Sequence, residues 1–509
     1  GIVAALVLAS GLLHAIGLNG WPRFEEDEGT YAFQAWAVNE MGSLAPYTYW
    51  YDHPPLGWLL IAGWWSTVGA IFSIDDPYAV VRSLMVFAQL ASVVLVYALG
   101  RRFGMRRGFA ALAALLFSVS PLAIELQRIG FLDNLAVPFT LGAFLLASTP
   151  SRRLWSFAAA AAMFAAAVLI KETFLLLLPG LLLVFWRNTD RSTRAFCLSV
   201  AGATFGLVGG SYVLYAALKG ELLPGDDHVS LWEGVAFQLF ERREGGSVFD
   251  PGTENGATVA YWLNLDVILP AAALLALPVT LLVRRLWPIG IALALPLAML
   301  LRPGYVPHMY VIALLPFFGL AIAGAADWAW GRLDGLAERR RAPGLRMLPR
   351  AAVLAALGVL ALTAAGPWPG QIDRMMNEDA NEPRRQAMAF AEAEIPLDAK
   401  LLVEAPNWLP LVEQGRDPAN VVWLYKLDHD PGVGDDFPNG WRDMDYLVIS
   451  DFARNQLDVP ETTRAIENSR PLAAFGTGAE RIEIREVVEP KPKLAHAPDQ
   501  DHTPEPRQE

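Results

Sequence analysis

"GIVAALVLASGLLHAIGLNGWPRFEEDEGTYAF", residues 1–33, decides the fold. Its first 18 residues carry no Asp, Glu, Lys or Arg. At about 1.5 Å per residue they reach across most of the roughly 30 Å of hydrocarbon in a bilayer. Three adjacent carboxylates follow, Glu26, Asp27 and Glu28, and the chain then returns at once to Tyr31 and Phe33. No basic start and no small-x-small cleavage site precede the acidic stretch, so residues 2–18 read as a first membrane span and not as a signal peptide. The missing initiator Met points to a trimmed start.

The same apolar signature recurs along the chain. With 509 residues, 54% hydrophobic, 17 Trp and 18% charged, it carries more apolar surface than a soluble protein of this length can bury. Spans are expected at residues 2–18, 78–100, 108–122, 132–147, 155–170, 174–186, 196–218, 259–283, 288–301, 306–328 and 351–365, about eleven in all. Alternate connections are basic: "RRFGMRR", "SRRLW", "RNTDRSTR", "RRLW" and "GRLDGLAERRRAPGLRMLPR". By the positive-inside rule these face the cytoplasm, as does the N-terminus, and the other connections and the C-terminal region face outward. The expectation is a multi-pass protein of the plasma membrane. A net charge of -12 argues against nucleic acid as a partner, and the single cysteine, Cys197, excludes a disulfide framework or a Cys-based metal site.

Residues 54–72, "PPLGWLLIAGWWSTVGAIF", do not fit the alternation, because no basic connection separates them from the next span. They read as a helix along the outer interface, anchored by Trp58, Trp64 and Trp65. "TYAFQAWAVNEMG" reads as a second interfacial helix, with Phe33, Trp36 and Ala37 on one face. The long connection 219–257 reads as a lid. After Trp368 the composition changes. "AKLLVE", "NVVWLYK", "DYLVIS" and "ERIEIREV" are short and β-branched and alternate with the helical "RRQAMAFAEAEI" and "APNWLPLVEQG". The expected organisation is a polytopic α-helical membrane domain at 1–368, a small extracytoplasmic α/β domain at 369–488, and a disordered tail at 489–509. In the α/β domain, "LDHDPG" with Asp428, His429 and Asp430 reads as a turn ahead of a metal motif.

Ionisable side chains gather at one depth, the outer membrane face. Asp27 and Glu28 follow the first span, Asp52 and His53 precede residues 54–72, and Arg128 and Asp133 flank a tight outer turn. Lys171 and Glu172 sit at another turn, and Arg302, Tyr305 and His308 occupy the last short outer connection. Charges kept beside spans line cavities. A mixed layer of this kind suits reaction between a lipid-borne phosphate, held by the cations, and a neutral nucleophile whose proton a carboxylate removes. The competing reading is a lipid or solute transporter, which uses charges along a path near the midplane. There is no Walker motif, Gly-rich phosphate loop or HExxH site.

"EDEGTYAFQA", "YDHPPLGWLL", "QRIGFLDNLAVPF", "LIKETFLLLLP" and "RPGYVPHMYVIALLP" follow one another in an order that resembles lipid-donor glycosyltransferases of the C superfamily. The branch is that of protein O-mannosyltransferases and lipid A aminoarabinose transferases. The resemblance implies an inverting transferase that moves a sugar, mannose or another hexose or pentose, from a polyprenyl-phosphate donor to a hydroxyl of a protein, lipid or glycan. It implies Asp27 as general base, with Glu28 beside it. Asp52, His53, Arg128, Asp133, Lys171, Arg302, Tyr305 and His308 would bind donor phosphate or substrate. Some relatives bind a divalent cation, for which His53 and His308 are the available ligands, and the question of a metal stays open.

Overall fold

A computed structural model describes residues 1–72, 74, 76–225, 228–339, 347–456 and 459–488. The expected tail at 489–509 lies outside the described residues. The chain divides into two compact units, Gly1–Glu382 and Pro383–Glu509.

The first unit is helical. Its first half contains α1 (Ile2–Ala15), α2 (Glu26–Glu40), α3 (Leu56–Trp64), the short α4 (Ala70–Phe72), α5 (Pro77–Arg102), α6 (Arg107–Val119), α7 (Pro121–Arg128), α8 (Leu132–Ala147) and α9 (Leu154–Ile170). Its second half contains α10 (Leu178–Asn188), α11 (Arg194–Lys219), α12 (Leu231–Ala236), α13 (Glu254–Leu265), α14 (Ile268–Leu282), α15 (Trp287–Met299), α16 (Leu315–Arg339), α17 (Met347–Ala365) and α18 (Pro367–Asn377). Three stretches, Pro77–Arg102, Arg194–Lys219 and His308–Arg332, are helical, long and apolar enough to cross a membrane. Three further pairs of helices among the described residues are bent, including α6 and α7, which meet at 60°, and α13 and α14, which meet at 101°. The expected spans at 108–122 and 259–283 are therefore not straight. Pro121 opens α7 and cannot continue the backbone bonds of α6. Asp266 leaves the helical conformation at φ -159 and ψ 105.

The aromatic stretch also departs from expectation. Trp58 is completely buried and packs edge-on against Tyr49, so it is a core residue and not an interface anchor. Trp64 donates to Ser83 Oγ and packs on Phe87 of α5. Phe33 and Ala37 of α2 are buried as well. α2 packs on α3 and α5, and α3 packs on α5, α8 and α9.

The basic connections meet one another. Arg285 and Arg106 both pair with Asp327, Arg187 donates to the Arg284 carbonyl, and Arg102 donates to the Ser148 carbonyl. They lie at the end of α5 opposite Tyr78, across a 26-residue helix about 39 Å long.

The second unit holds a five-stranded sheet ordered β2-β1-β3-β5-β4. Its strands are β1 (Leu401–Val403), β2 (Val421–Trp423), β3 (Tyr446–Ser450), β4 (Ser469–Phe475) and β5 (Ile482–Val487). β1 runs parallel to β2 and β3, and β5 runs antiparallel to β3 and β4. Four strands lie where the sequence places them. β4 is missed by pattern because Pro471 interrupts it and most of its residues are exposed. Asp430 accepts from Gly432 N and pairs with Lys426 at 3.1 Å, so "LDHDPG" joins the end of one helix, Leu424–His429, to the start of the next, Pro431–Asp436.

Candidate active site

The acidic stretch forms the first turn of α2, where carboxylates face a helix N-terminus. The three are not equivalent. Glu28 is completely buried, and Arg82 of α5 holds it with two bonds of 2.8 Å, Nε to Oε1 and Nη2 to Oε2. Gly130 N donates to the same Oε1 at 2.8 Å. A Cβ at Gly130 would lie 2.7 Å from Val81 and 2.9 Å from Glu28 Cγ, so only glycine lets this turn approach so closely. The other Arg82 nitrogen, Nη1, donates to the carbonyls of Leu18 and Pro22. Glu28 is thus held by three donors and clamps α2 to α5 and to the turn before α8. This corrects its assignment as a reacting group. Asp27, about 100° round the helix, is half-buried and accepts no hydrogen bond from the described residues.

Next to Asp27 lies a cluster drawn from four segments. Lys171, just after α9, is 3% exposed, and its Nζ stands 2.9 Å from His53 Nε2 and 3.5 Å from the Tyr31 hydroxyl. His53 Nδ1 is 3.1 Å from Glu172 Oε2. A contact of 2.9 Å between the Lys171 and His53 nitrogens leaves room for one proton between them, so this Lys171–His53–Glu172 chain shares protons. Burial alone would lower the His53 imidazole, but the Glu172 carboxylate outweighs it and holds the ring above its ordinary value of 6.5. Glu172 is brought down to about 2, because the pull of His53 and Lys171 exceeds the opposing effect of burial. Tyr31 is pushed well above its ordinary value by burial and then by the charges of Asp27, Asp133, Asp52 and Glu172, so all four carboxylates lie within electrostatic reach of one phenol. Asp133 is buried at the start of α8, and its Oδ2 has no partner among the described residues.

Asp27, Asp52, His53, Asp133 and Lys171 are therefore brought together. Tyr305 joins from the other side: burial raises its phenol, and the Arg242 and Asp27 charges bear on it. The Arg242 guanidinium lies 3.8 Å from the Tyr305 ring centre. Arg242 belongs to the connection 219–257, which is ordered by α12 with a Ser230/Glu233 capping box. The same connection touches both sides of the site. Glu221 accepts from the Tyr51 hydroxyl at 2.5 Å, and Gly246 N donates to the Pro303 carbonyl. Asn255, at the start of α13, donates to the Gly304 carbonyl and accepts from Val306 N. Tyr51 itself holds a left-handed φ of 56°, a costly conformation for a side-chain-bearing residue, immediately before Asp52 and His53.

Of the two arginines expected in the site, Arg128 is used elsewhere. Arg128 is completely buried, and its Nη atoms donate to the carbonyls of Leu13, Ile16, Trp21 and Met375. It ties chain ends together and is not available to a phosphate. Arg302 is exposed, and the group it bears on is Tyr310. His308 packs edge-on against Phe131, with centroids 4.9 Å apart, and does not meet His53. Both His53 nitrogens are already engaged, and among the described residues no three His, Cys, Asp or Glu side chains are grouped to hold a metal ion. Sequence reasoning missed Tyr31 and Arg242 as site residues and placed Glu172 in the charged layer without giving it a role. Glu172 adjoins Lys171 in the sequence, but nothing in the pattern marks Tyr31 or Arg242.

The fold of the chain is shared with solved structures. ArnT from Cupriavidus metallidurans, solved bound to undecaprenyl phosphate, superimposes with a TM-score of 0.61 over 96% of this chain and 97% of that one, at 16% identity. The archaeal oligosaccharyltransferase AglB from Archaeoglobus fulgidus, solved with an inhibitory peptide and a dolichol-phosphate, gives 0.56 over 89% of this chain and 69% of that one, at 14% identity. The family described as dolichyl-phosphate-mannose-protein mannosyltransferase matches residues 52–215, about a third of the chain. No curated protein matches. The resemblance to O-mannosyltransferases and lipid A aminoarabinose transferases seen in the sequence motifs is thus borne out.

Proposed function

We propose that the protein is a membrane glycosyltransferase that moves a sugar from a polyprenyl-phosphate donor to an acceptor hydroxyl at the outer face of the membrane, inverting the anomeric centre. The observation that carries this reading is the convergence of Asp27, Asp52, His53, Asp133 and Lys171 around Tyr31. It is supported by the likeness to structures solved with polyprenyl phosphates.

Asp27, unengaged beside the clamped Glu28, takes the proton of the acceptor hydroxyl. The hydroxyl oxygen bonds to the anomeric carbon as the bond from that carbon to the phosphate oxygen breaks on the opposite face. The electron pair leaves with the lipid phosphate. Lys171 and His53 stabilise that developing charge in a water-poor site, where fixed cations act strongly. Their shared proton can follow the charge. Asp52 and Asp133 accept hydrogen bonds from sugar hydroxyls, and Arg242 and Tyr305 close the side next to Asp27. The donor sugar is mannose or another hexose or pentose, and the acceptor is a protein, lipid or glycan. The α/β unit lies outside the cell and selects the acceptor.

The test is to incubate purified protein with a panel of synthetic polyprenyl-phosphate sugars and follow release of lipid phosphate. A member that is turned over identifies the donor. If none is turned over with any hydroxyl acceptor, the reading fails.

A further inference from the structure

Asp266 occupies the break between α13 and α14 and is buried. Its Oδ1 accepts from the backbone N–H groups of Ile268 at 2.7 Å and Leu269 at 3.2 Å, capping α14. The same oxygen accepts from Trp368 Nε1 at 3.2 Å, and Oδ2 accepts from Ser120 Oγ at 2.6 Å. Ser120 is the residue at the break between α6 and α7, and Trp368 lies two residues past Gly366, where α17 gives way to α18. One carboxylate therefore joins three helix breaks far apart in sequence.

The arms that leave these breaks are also tied to one another. Glu125 of α7 accepts from the Tyr261 hydroxyl of α13. Arg128 of α7 donates to the Met375 carbonyl of α18, and Gln371 of α18 donates to the Asn264 carbonyl of α13. The free ends of the arms hold site segments. α7 leads into the turn whose Gly130 touches Glu28 and which ends at Asp133. In α13, Trp262 Nε1 donates to the His308 carbonyl at 2.7 Å, and Asn255 holds Gly304 and Val306 on either side of Tyr305.

We infer that Asp266 is a positioning residue: it fixes the relative angles of α7, α13 and α18, and through α13 it sets the Tyr305–His308 segment against Asp27. It touches no substrate. An apolar residue at 266 would leave the Ser120 hydroxyl, the Trp368 indole and two N–H groups without an acceptor inside the bundle. The three arms would then lose their common pivot.

This inference rests on the transferase reading for its kinetic readout, and a second readout does not. In a Cys197→Ala background, spin labels at Leu263 of α13 and Asp373 of α18 report the distance between two arms. The expected result is a single narrow distance distribution with Asp266 and a broadened one with Asp266→Ala, with Asp266→Asn restoring most of the narrowness because its carbonyl oxygen can still cap α14. On the donor identified by the panel, Asp266→Ala is expected to lose at least tenfold in kcat with a smaller change in donor KM. Adding Asn255→Ala to Asp266→Ala should cost little more, because both act through the same segment. Unchanged distributions in monodisperse Asp266→Ala protein would overturn the inference. So would additive losses from Asp266→Ala and Asn255→Ala with equal Tm values. Broadened distributions without turnover in the unmodified enzyme would uphold the pivot and fail the transferase reading.

Discussion

Arg82 and Glu28 face each other as a two-pronged ion pair, 2.8 Å on each prong, with no solvent exposure on either side chain. The pair separates two adjacent carboxylates, Glu28 and Asp27. One locks the helix in place, and its neighbour is left unengaged at the site.

Removing one partner of such a pair leaves a buried charge without compensation, at about 3–5 kcal/mol. Glu28→Gln and Arg82→Met should each lower the thermal midpoint in detergent markedly. The double variant should recover part of the loss. A single variant with an unchanged midpoint would show that the clamp is dispensable.

Asp27→Asn keeps the size of the side chain and removes the proton acceptor. Turnover should fall about 10²- to 10⁴-fold, the usual contribution of a general base, while the thermal midpoint and donor binding stay as in the unmodified protein. A carrier that uses no base would keep its transport rate.

Lys171→Met removes the cation next to His53. Charge-assisted bonds are worth about 1.5–3 kcal/mol, so donor KM should rise roughly 10- to 100-fold. Isothermal binding of the product lipid phosphate should weaken in parallel. Equal affinities would place the phosphate elsewhere.

Arg128→Lys tests the opposite expectation. A lysine cannot serve the four carbonyls that the guanidinium reaches. The midpoint should drop and donor KM should hold. A rise in KM with stability intact would return Arg128 to the phosphate.

The His53–Glu172 pair gives a pH signature. Glu172 titrates near 2, below its ordinary 4.5, so its contribution to stability is present above pH 4.5 and is lost as pH falls toward 2. His53 titrates above 6.5, so its contribution is present below 6.5 and is lost as pH rises through the raised value. The gap in thermal midpoint between the unmodified protein and Glu172→Gln should be widest between pH 4.5 and 6.5 and should narrow toward pH 9. Glu172 keeps 36% side-chain exposure, so the gap corresponds to about 1 kcal/mol or less. A gap that widens above pH 8 would reverse the assigned protonation.

Most of the helices and four of the five strands were legible in the sequence, because burial in lipid or in a sheet leaves a periodic apolar pattern that needs only local information. The charged layer was legible too, since ionisable residues beside apolar segments stand out against that pattern. Partnership was not legible. Glu28 and Asp27 are adjacent acids with the same local surroundings, and only Arg82, 54 positions away, makes one structural and leaves the other unengaged. Arg128 looked like a phosphate ligand until the carbonyls of Leu13, Ile16 and Met375 claimed it. Trp58 looked like an interface anchor until Tyr49 and the bundle covered it. The sequence by itself determined that the chain carries many long apolar segments, which connections are basic, and which ionisable side chains flank those segments. Only the tertiary structure decided which of those side chains meet, because a hydrogen bond reaches about 3 Å and no pattern along the chain records which distant residues come that near.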